Sequence, residues 1–150
     1  MTDEQIKQYH AKVDDNIGKI GYHSTFVFAG VKHSFCYSTG IYRSFGIPEL
    51  FVSALPQNLS YELIKSYVDS FKDSKLIPIN ERIEYLTDRF PIYLVKVAND
   101  KLAEYVLSSV RFYRNADYNY LQLIYPDVSG HFPDEAGYDY DQVILEPFKS

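Results

Sequence analysis

The chain has 150 residues and a formal net charge of −5, a length that fits one domain with its own hydrophobic core. Hydrophobic residues make up 46% and charged residues 23%, which argues against disorder. The charge is uneven, because residues 127–150 hold six acidic and one basic side chain whereas residues 1–126 are balanced. Without a basic excess anywhere, the sequence lacks the charge pattern of a protein that binds a nucleic acid polymer.

Composition also limits the compartment and the chemistry. The single cysteine, Cys36, excludes an intramolecular disulfide and a multi-cysteine zinc site. No apolar run reaches the roughly 18 residues of a membrane span, and the polar first residues do not resemble a secretory signal. Metal-ligand motifs, phosphate loops and dinucleotide fingerprints do not occur either. We therefore expect a cytoplasmic protein with no membrane partner, no cofactor and no metal.

Hydrophobic periodicity and turn residues divide the chain into short elements. In chain order they are a helix at 2–18, strands at 20–29 and 34–39 joined through 30–33, a loop at 40–48, a strand at 49–55, a helix that begins at Asn58 or Ser60, strands at 82–87 and 92–97, a helix capped by Asn99 or Asp100 that continues to Tyr113, and a strand at 118–125. The first helix carries a capping box, Thr2 with Gln5, and Gly18 is its predicted stop.

Strands outnumber helices in this order, and several neighbouring strands are joined by short turns. The pattern predicts an α+β fold, with a mixed or mostly antiparallel sheet of about five to six strands and two to three helices packed on it. We expect residues 1–150 to form a single domain. Prolines, glycines and acids dominate after Pro126, so we expect 127–138 to fold back as an ordered flap and 139–150 to be a loose acidic tail.

Three blocks of sequence carry a resemblance to a known family. They read Y-S-T-G-I at 37–41, P-E-L-F-V at 48–52, and L-Q-L-I-Y-P-D at 121–127 followed by G-H-F-P at 130–133. In order and spacing they are similar to a bacterial family known only as domain of unknown function number four-two-six-two. Tyr125 and Asp134 stand where that family has tryptophan. The resemblance implies no activity, so function is argued from the residues.

The first candidate site is the strand end at 37–40 with the loop that follows it. Backbone N–H groups at Tyr37, Thr39 and the next glycine can bind an anion, and Arg43 can pair with a phosphate or a carboxylate. The alternative is that the glycines only permit turns and that Arg43 is solvated. Glu49 lies at the mouth of an apolar strand, where it forms a structural ion pair with Arg43 or acts as a general base.

The second candidate site is the last strand with the turn that follows it. Gln122 points away from Leu121 and Leu123. Its side-chain amide is therefore expected either to form hydrogen bonds with polar atoms of a ligand or to form them with other protein groups. Tyr125 can stack on a ligand. Asp127 closes an Asx-turn, or forms a functional site with His131.

These residues support three hypotheses. The favoured one is a non-catalytic protein that binds a small anionic or nucleotide-like ligand, for instance a nucleotide signal sequestered in a phage–bacterium conflict. Arg43 would hold the anion, Tyr37 and Tyr125 would stack, and Gln122 and Asp127 would read polar edges.

The first alternative is a hydrolase that uses Glu49, Asp127 and His131 within about one water of each other. The second is a protein-interaction module whose acidic tail docks on a basic partner or on a second copy, which would make the chain a homo-oligomer. A lone H-x-T motif at His23 lacks the second copy that a two-histidine phosphoesterase needs.

Overall fold

A computed structural model describes residues 2–30 and 33–150. Within these residues the helices are α1 (Asp3–Ile20), α2 (Ile41–Phe45), α3 (Gln57–Phe71), α4 (Asn99–Leu102) and α5 (Leu107–Tyr113). The strands are β1 (His23–Val27), β2 (Phe35–Thr39), β3 (Glu49–Ser53), β4 (Tyr93–Val97) and β5 (Tyr120–Ile124). Val31 and Lys32, in the predicted connection between the first two strands, lie outside the described residues.

One mixed sheet organises the fold, with strand order β1-β2-β3-β5-β4. The β1–β2, β2–β3 and β4–β5 pairs are antiparallel, and β3 runs parallel to β5. This architecture confirms the predicted α+β fold. Because Glu49 pairs with Tyr120, the first residues of β3 and β5 lie at the same edge of the sheet.

Each central strand alternates its side chains between two cores, as the pleat requires. On one face Leu50, Leu121 and Leu123 pack with the apolar stripe of α3. On the other face Phe51 and Tyr120 pack with residues of α4 and the turn after it. Both faces of the sheet are therefore covered, which explains why every residue of β3 and β5 is buried.

Helix α1 lies on the same face as α5 and contacts β1 through polar groups. Tyr9 is hydrogen-bonded to Thr25 at 2.7 Å and to His23 at 3.3 Å, and Asn16 is hydrogen-bonded to the other ring nitrogen of His23 at 2.8 Å. The predicted capping box is present, but the helix continues past Gly18 to Ile20. Its left-handed C-cap is Gly21, so the prediction of a stop at Gly18 was wrong.

The segment predicted as an irregular loop at 40–48 contains helix α2. Gly40 precedes the helix and Gly46 follows it, both with positive φ (104° and 73°). Two left-handed residues with only five residues between them confine the helix to little more than one turn, a length that periodicity cannot reveal.

Two other predictions need correction. The expected strand at 82–87 reduces to one antiparallel bridge, in which the backbone N–H groups of Ile83 and Ile92 each donate to the other residue's carbonyl at 2.8 and 2.9 Å. The expected helix from Asn99 to Tyr113 is broken into α4 and α5. Val106 lies between the two helices and its side chain is buried beside Leu102. The helical spacing of apolar residues in the sequence therefore continues across the break, and the sequence pattern did not reveal it. The Asn99 side chain donates to the Tyr118 carbonyl rather than capping a helix.

Residues 139–150, here called the C-terminal segment, pack against the sheet instead of forming a loose tail. Val143 N–H donates to Ser53 Oγ at 2.9 Å, and Gln142 bonds both backbone groups of Tyr125. Phe148 stacks edge-on against Tyr93 with ring centroids 5.2 Å apart. Since side chains of the sheet hold this segment, it needs no periodicity of its own, and the sequence pattern could not show it.

The close contact between α1 and Gly40 generates a stability prediction. A Cβ on Gly40 would lie 2.9 Å from the Gly21 carbonyl oxygen and 2.9 Å from Ile17 Cγ1, at a φ of +104°. We expect Gly40→Ala to lower the free energy of unfolding by about 2 kcal/mol or more, because a backbone atom cannot move aside. Urea unfolding followed by circular dichroism measures the change.

Gly18→Ala is the matched control, because Gly18 is helical and nothing lies within 4 Å of its would-be Cβ. It should raise the free energy of unfolding by about 0.5–1 kcal/mol. A Gly40→Ala protein as stable as the unchanged chain would show that the left-handed conformation at residue 40 is not required.

Candidate functional site

The carboxylate of Glu49 is fully buried at the start of β3. It accepts hydrogen bonds from the backbone N–H groups of Gly40, Ile41 and Tyr42 and from the hydroxyls of Ser38 and Tyr113. Burial raises the pKa of this carboxyl above its usual value, and the hydrogen bonds act in the opposite direction. Both hydroxyls already accept a backbone N–H, so each can direct its own proton at the carboxylate, which favours the ionised form.

The strand end does present backbone N–H groups to an acidic group, as predicted, but that group is the side chain of Glu49 and not a ligand. The N–H groups at the start of α2 point at Glu49, as helix N-termini point at bound phosphates. The predicted ion pair between Glu49 and Arg43 is absent from the described residues. Arg43 instead places its guanidinium carbon 5.4 Å from the centroid of the Phe112 ring.

Tyr37 and Thr39 are buried, and their hydrogen bonds connect β2 to α5. The Tyr37 hydroxyl accepts from the Ser108 N–H at 3.0 Å, and Thr39 Oγ1 is hydrogen-bonded to Ser109 Oγ at 2.7 Å. Ser109 is in turn hydrogen-bonded to the Tyr120 hydroxyl at 2.7 Å. These side chains have protein partners and do not face solvent.

Gln122 and Tyr125 hold the C-terminal segment. Gln122 donates to the Val143 carbonyl and accepts from the Leu145 N–H at 3.1 Å, so both ends of its amide are occupied. The Tyr125 hydroxyl donates to the Ser53 carbonyl at 2.6 Å. Gln122 was expected either to contact a ligand or to hydrogen-bond other protein groups, and the structure shows the hydrogen bonds to protein groups.

Asp127 organises the turn after β5, and its side chain is 2% exposed. Oδ1 accepts from the N–H groups of Ser129 at 3.0 Å and His131 at 2.9 Å, and Oδ2 accepts from Asp139 N–H at 2.8 Å. The bond to Ser129 is the predicted Asx-turn. His131 Nδ1 lies 3.6 Å from Asp127 Oδ2, and the side chain of His131 is 43% exposed.

The three residues of the hydrolase alternative do not come together. Glu49 pairs with Tyr120 at one edge of the sheet, and Asp127 follows the other end of β5. The strand between Tyr120 and Ile124 alone spans about 13 Å. One water cannot connect groups at opposite ends of a strand, so the arrangement that this hydrolysis requires is missing.

The open surface near Arg43 is a cleft of about 570 Å³ between α1, α2 and the end of α5. We call it the arginine cleft. It is lined by Asp14, Ile17, Gly18, Arg43, Ser44, Arg111, Phe112 and Arg114. Three guanidinium groups and one carboxylate give it a positive charge in a protein whose net charge is −5.

Two of these arginines have unusual environments. Arg111 Nη2 donates to Asp14 Oδ1 at 2.9 Å, whereas its buried Nε has no hydrogen-bond partner among the described residues. Arg114, directly after α5, has φ 54° and ψ −111°, a conformation that favours glycine. Backbone strain of this kind costs about 1–3 kcal/mol and is found where the surroundings enforce it, often at ligand sites.

A second depression of about 400 Å³ adjoins the cleft and shares Arg43 and Phe112 with it. We call it the aromatic hollow. It is lined by Tyr42, Arg43, Phe112, Tyr113, Ala116 and Asp117. A mostly polar, cationic cleft beside a mostly apolar, aromatic hollow suits a ligand with one anionic and one flat apolar part.

Of the eight ligand residues predicted from the sequence, the structure places only Arg43 on this surface. Sequence reasoning did not predict the other residues that line the cleft and the hollow as ligand residues, among them Asp14, Arg111, Phe112, Arg114 and Asp117. The available signal was the pattern R-F-Y-R at 111–114, with both arginines three residues apart on a helix end. Nothing local connects that pattern to Arg43, some seventy residues earlier.

In the part of the chain that the structure describes, no group of three or more His, Cys, Asp or Glu side chains is placed to hold a metal ion. No described helix is both long and apolar enough to cross a membrane.

The mixed five-stranded sheet and the arginine cleft together define an α+β protein with a preformed cationic surface cleft. Residues 16–139 match the family model described as Domain of unknown function (DUF4262), and the chain belongs to this family. The match confirms the family indicated by the blocks at 37–41 and 121–127. No curated protein and no solved structure matches the chain.

The buried carboxylate generates the second prediction. In Glu49→Gln an amide NH₂ would face backbone N–H donors, leaving buried groups unpaired. We expect the free energy of unfolding to fall by about 3 kcal/mol, measured by urea unfolding. Glu62→Gln is the control, because Glu62 is exposed and pairs with Arg89 at 3.3 Å, and it should cost less than about 1 kcal/mol. Equal stabilities of the two variants would contradict the assigned role of Glu49.

The third prediction concerns pH. Burial alone would raise the pKa of Asp127, but backbone hydrogen bonds from His131, Asp139 and Ser129 lower it below 3.8. The unfolded chain then takes up a proton before the folded chain, so this carboxylate stabilises the fold above pH 3.8. The stabilisation is lost as pH falls through the folded pKa.

Asp127→Asn should therefore destabilise the protein at pH 7, and its deficit relative to the unchanged chain should shrink at pH 3. Urea unfolding at both pH values checks this, with Asp69→Asn as a control at an exposed carboxylate that pairs with Lys65. A deficit that does not change with pH would show that the charge of Asp127 is not what stabilises the turn.

Proposed function

We propose that this protein binds a small anionic, nucleotide-like ligand, with the anion in the arginine cleft and the flat part of the ligand in the aromatic hollow. The observation that carries the proposal is the convergence of Arg43, Arg111 and Arg114 on one cleft that contains a single carboxylate. Arg43 and Arg114 form no ion pair with any described residue. Their charges are therefore available to a ligand.

The chemistry of the cleft favours phosphate as the anionic group. A guanidinium presents parallel N–H donors that match two phosphate oxygens, and several guanidiniums can share one dianion. The unpartnered Nε of Arg111 adds a donor that is already removed from water. Leaving such a donor without an acceptor costs about 1–3 kcal/mol, which an anion in the cleft would recover.

The hollow favours a ring over an aliphatic chain. Arg43 lies over the face of Phe112, so a flat ligand group would meet both a cationic and an aromatic surface. Tyr113 is stacked on Tyr118 with centroids 4.6 Å apart, which holds the wall of the hollow in place before a ligand arrives. A preformed wall lowers the entropy lost on binding.

Binding without catalysis is the form of the proposal that the residues support. Arginines and aromatic rings hold an anion and a base, but the described residues that line the cleft include no histidine, no cysteine and no hydroxyl paired with a base that could transfer a proton. A protein that sequesters a nucleotide signal must bind the nucleotide tightly but does not have to catalyse a reaction on it. This is the function we propose, including the case of a signal made during a phage–bacterium conflict.

Isothermal titration calorimetry provides the test. Nucleoside monophosphates, cyclic nucleotides and dinucleotides are titrated into the full chain, with the parent nucleosides as ligands that lack the anion. We expect at least one phosphorylated ligand to bind about tenfold or more tightly than its nucleoside. Arg43→Ala and Arg114→Ala should each weaken that binding about tenfold, the effect of losing one charged hydrogen bond.

Arg89→Ala is the matched control, since Arg89 is equally exposed but lies outside the cleft, paired with Glu62. It should leave the affinity unchanged. If no phosphorylated ligand in the panel binds, or if all three arginine variants lose affinity equally, the proposed function is wrong.

A further inference from the structure

Asp117 places a carboxylate in the aromatic hollow, where the proposed ligand would otherwise meet rings and one guanidinium. Of the described residues that line the hollow, Asp117 alone is acidic. Among the described residues it has no ion-pair or hydrogen-bond partner, unlike Asp14, which holds Arg111 at 2.9 Å. An acceptor that the fold does not use is therefore available to a ligand.

The walls of the hollow restrict what can reach that carboxylate. The rings of Phe112 and Tyr113 meet edge to face at 5.1 Å and 85°, and those of Tyr42 and Tyr113 meet at 6.4 Å and 75°. The hydroxyl of Tyr113 donates to Glu49, which fixes the position of the far end of the central ring. A flat group that packs against these rings has the carboxylate of Asp117 within the same hollow as a hydrogen-bond acceptor for its edge.

The chain also sets the distance between the two parts of the site. Arg114 and Asp117 are separated by a tight turn in which Ala116 N–H donates to the Tyr113 carbonyl at 2.8 Å. Their Cα atoms can therefore lie no more than about 10 Å apart. This is the scale of a single nucleotide, whose phosphate would lie at Arg114 and whose base edge would lie at Asp117.

From this arrangement we propose that the ligand is a guanine nucleotide and that Asp117 determines its specificity. The inference rests on the proposed function. An ionised carboxylate only accepts hydrogen bonds, and it accepts two from adjacent donors in one plane. Guanine offers such a pair, its N1–H and its 2-amino group. Adenine places the acceptor N1 beside its amino group, and this lone pair repels a carboxylate.

Competition among purine nucleotides tests the proposal by calorimetry with the full chain. GMP should bind about tenfold or more tightly than AMP, and IMP, which keeps N1–H but lacks the 2-amino group, should fall between them. Asp117→Asn should weaken GMP binding about tenfold and leave AMP binding unchanged, because only the guanine edge uses the carboxylate. Asp88→Asn is the control at an exposed acidic residue away from the hollow, and it should change neither affinity.

The outcomes separate this inference from the function on which it rests. If AMP and GMP bind equally, or if Asp117→Asn weakens both, the guanine assignment is wrong while anion binding in the cleft stands. If GMP, IMP and AMP all fail to bind while another phosphorylated ligand does, the guanine assignment is also wrong. If no phosphorylated ligand binds at all, the proposed function fails and the inference fails with it.

Discussion

The buried, hydrogen-bonded carboxylate of Glu49 holds together the region from which the cleft is built. It connects the start of β3 to the amino end of α2, to Ser38 on β2 and to Tyr113 at the end of α5. A buried charge is stable only when every nearby group donates to it, and this requirement positions all four elements at once. Arg43, on α2, and the aromatic wall at the end of α5 owe their relative placement to this one carboxylate.

The same interaction explains why an external anion would need arginine side chains. A helix N-terminus beside a glycine is a common anion site, but in this fold Glu49 already occupies the N–H groups of α2. In the function we propose, the positive charge for a ligand comes instead from the guanidiniums on α2 and around the end of α5 that line the arginine cleft. The internal anion organises the structure, and the cationic cleft beside it is left open.

The sequence predicted most of the sheet because strands and their alternation are local patterns. It also identified the Asx-turn at Asp127 and the apolar face of Leu121 and Leu123, which are set by spacing within a few residues. It was wrong about Arg43 as the partner of Glu49 and about a loose C-terminal segment. In both cases the true partners include backbone groups and side chains from distant segments, and such pairings carry no local sequence signature.

Local sequence by itself determined the α+β class, the family blocks and the turn chemistry, since each depends on residues close together in the chain. Only the tertiary structure decided which polar residues are internal supports and which are open to a ligand. Tyr37, Gln122 and Tyr125 resemble binding residues in sequence, yet they are buried and bonded. Arg43 and Arg111 share a cleft because packing of helices on the sheet brings distant segments together, and such contacts leave no pattern in a single sequence.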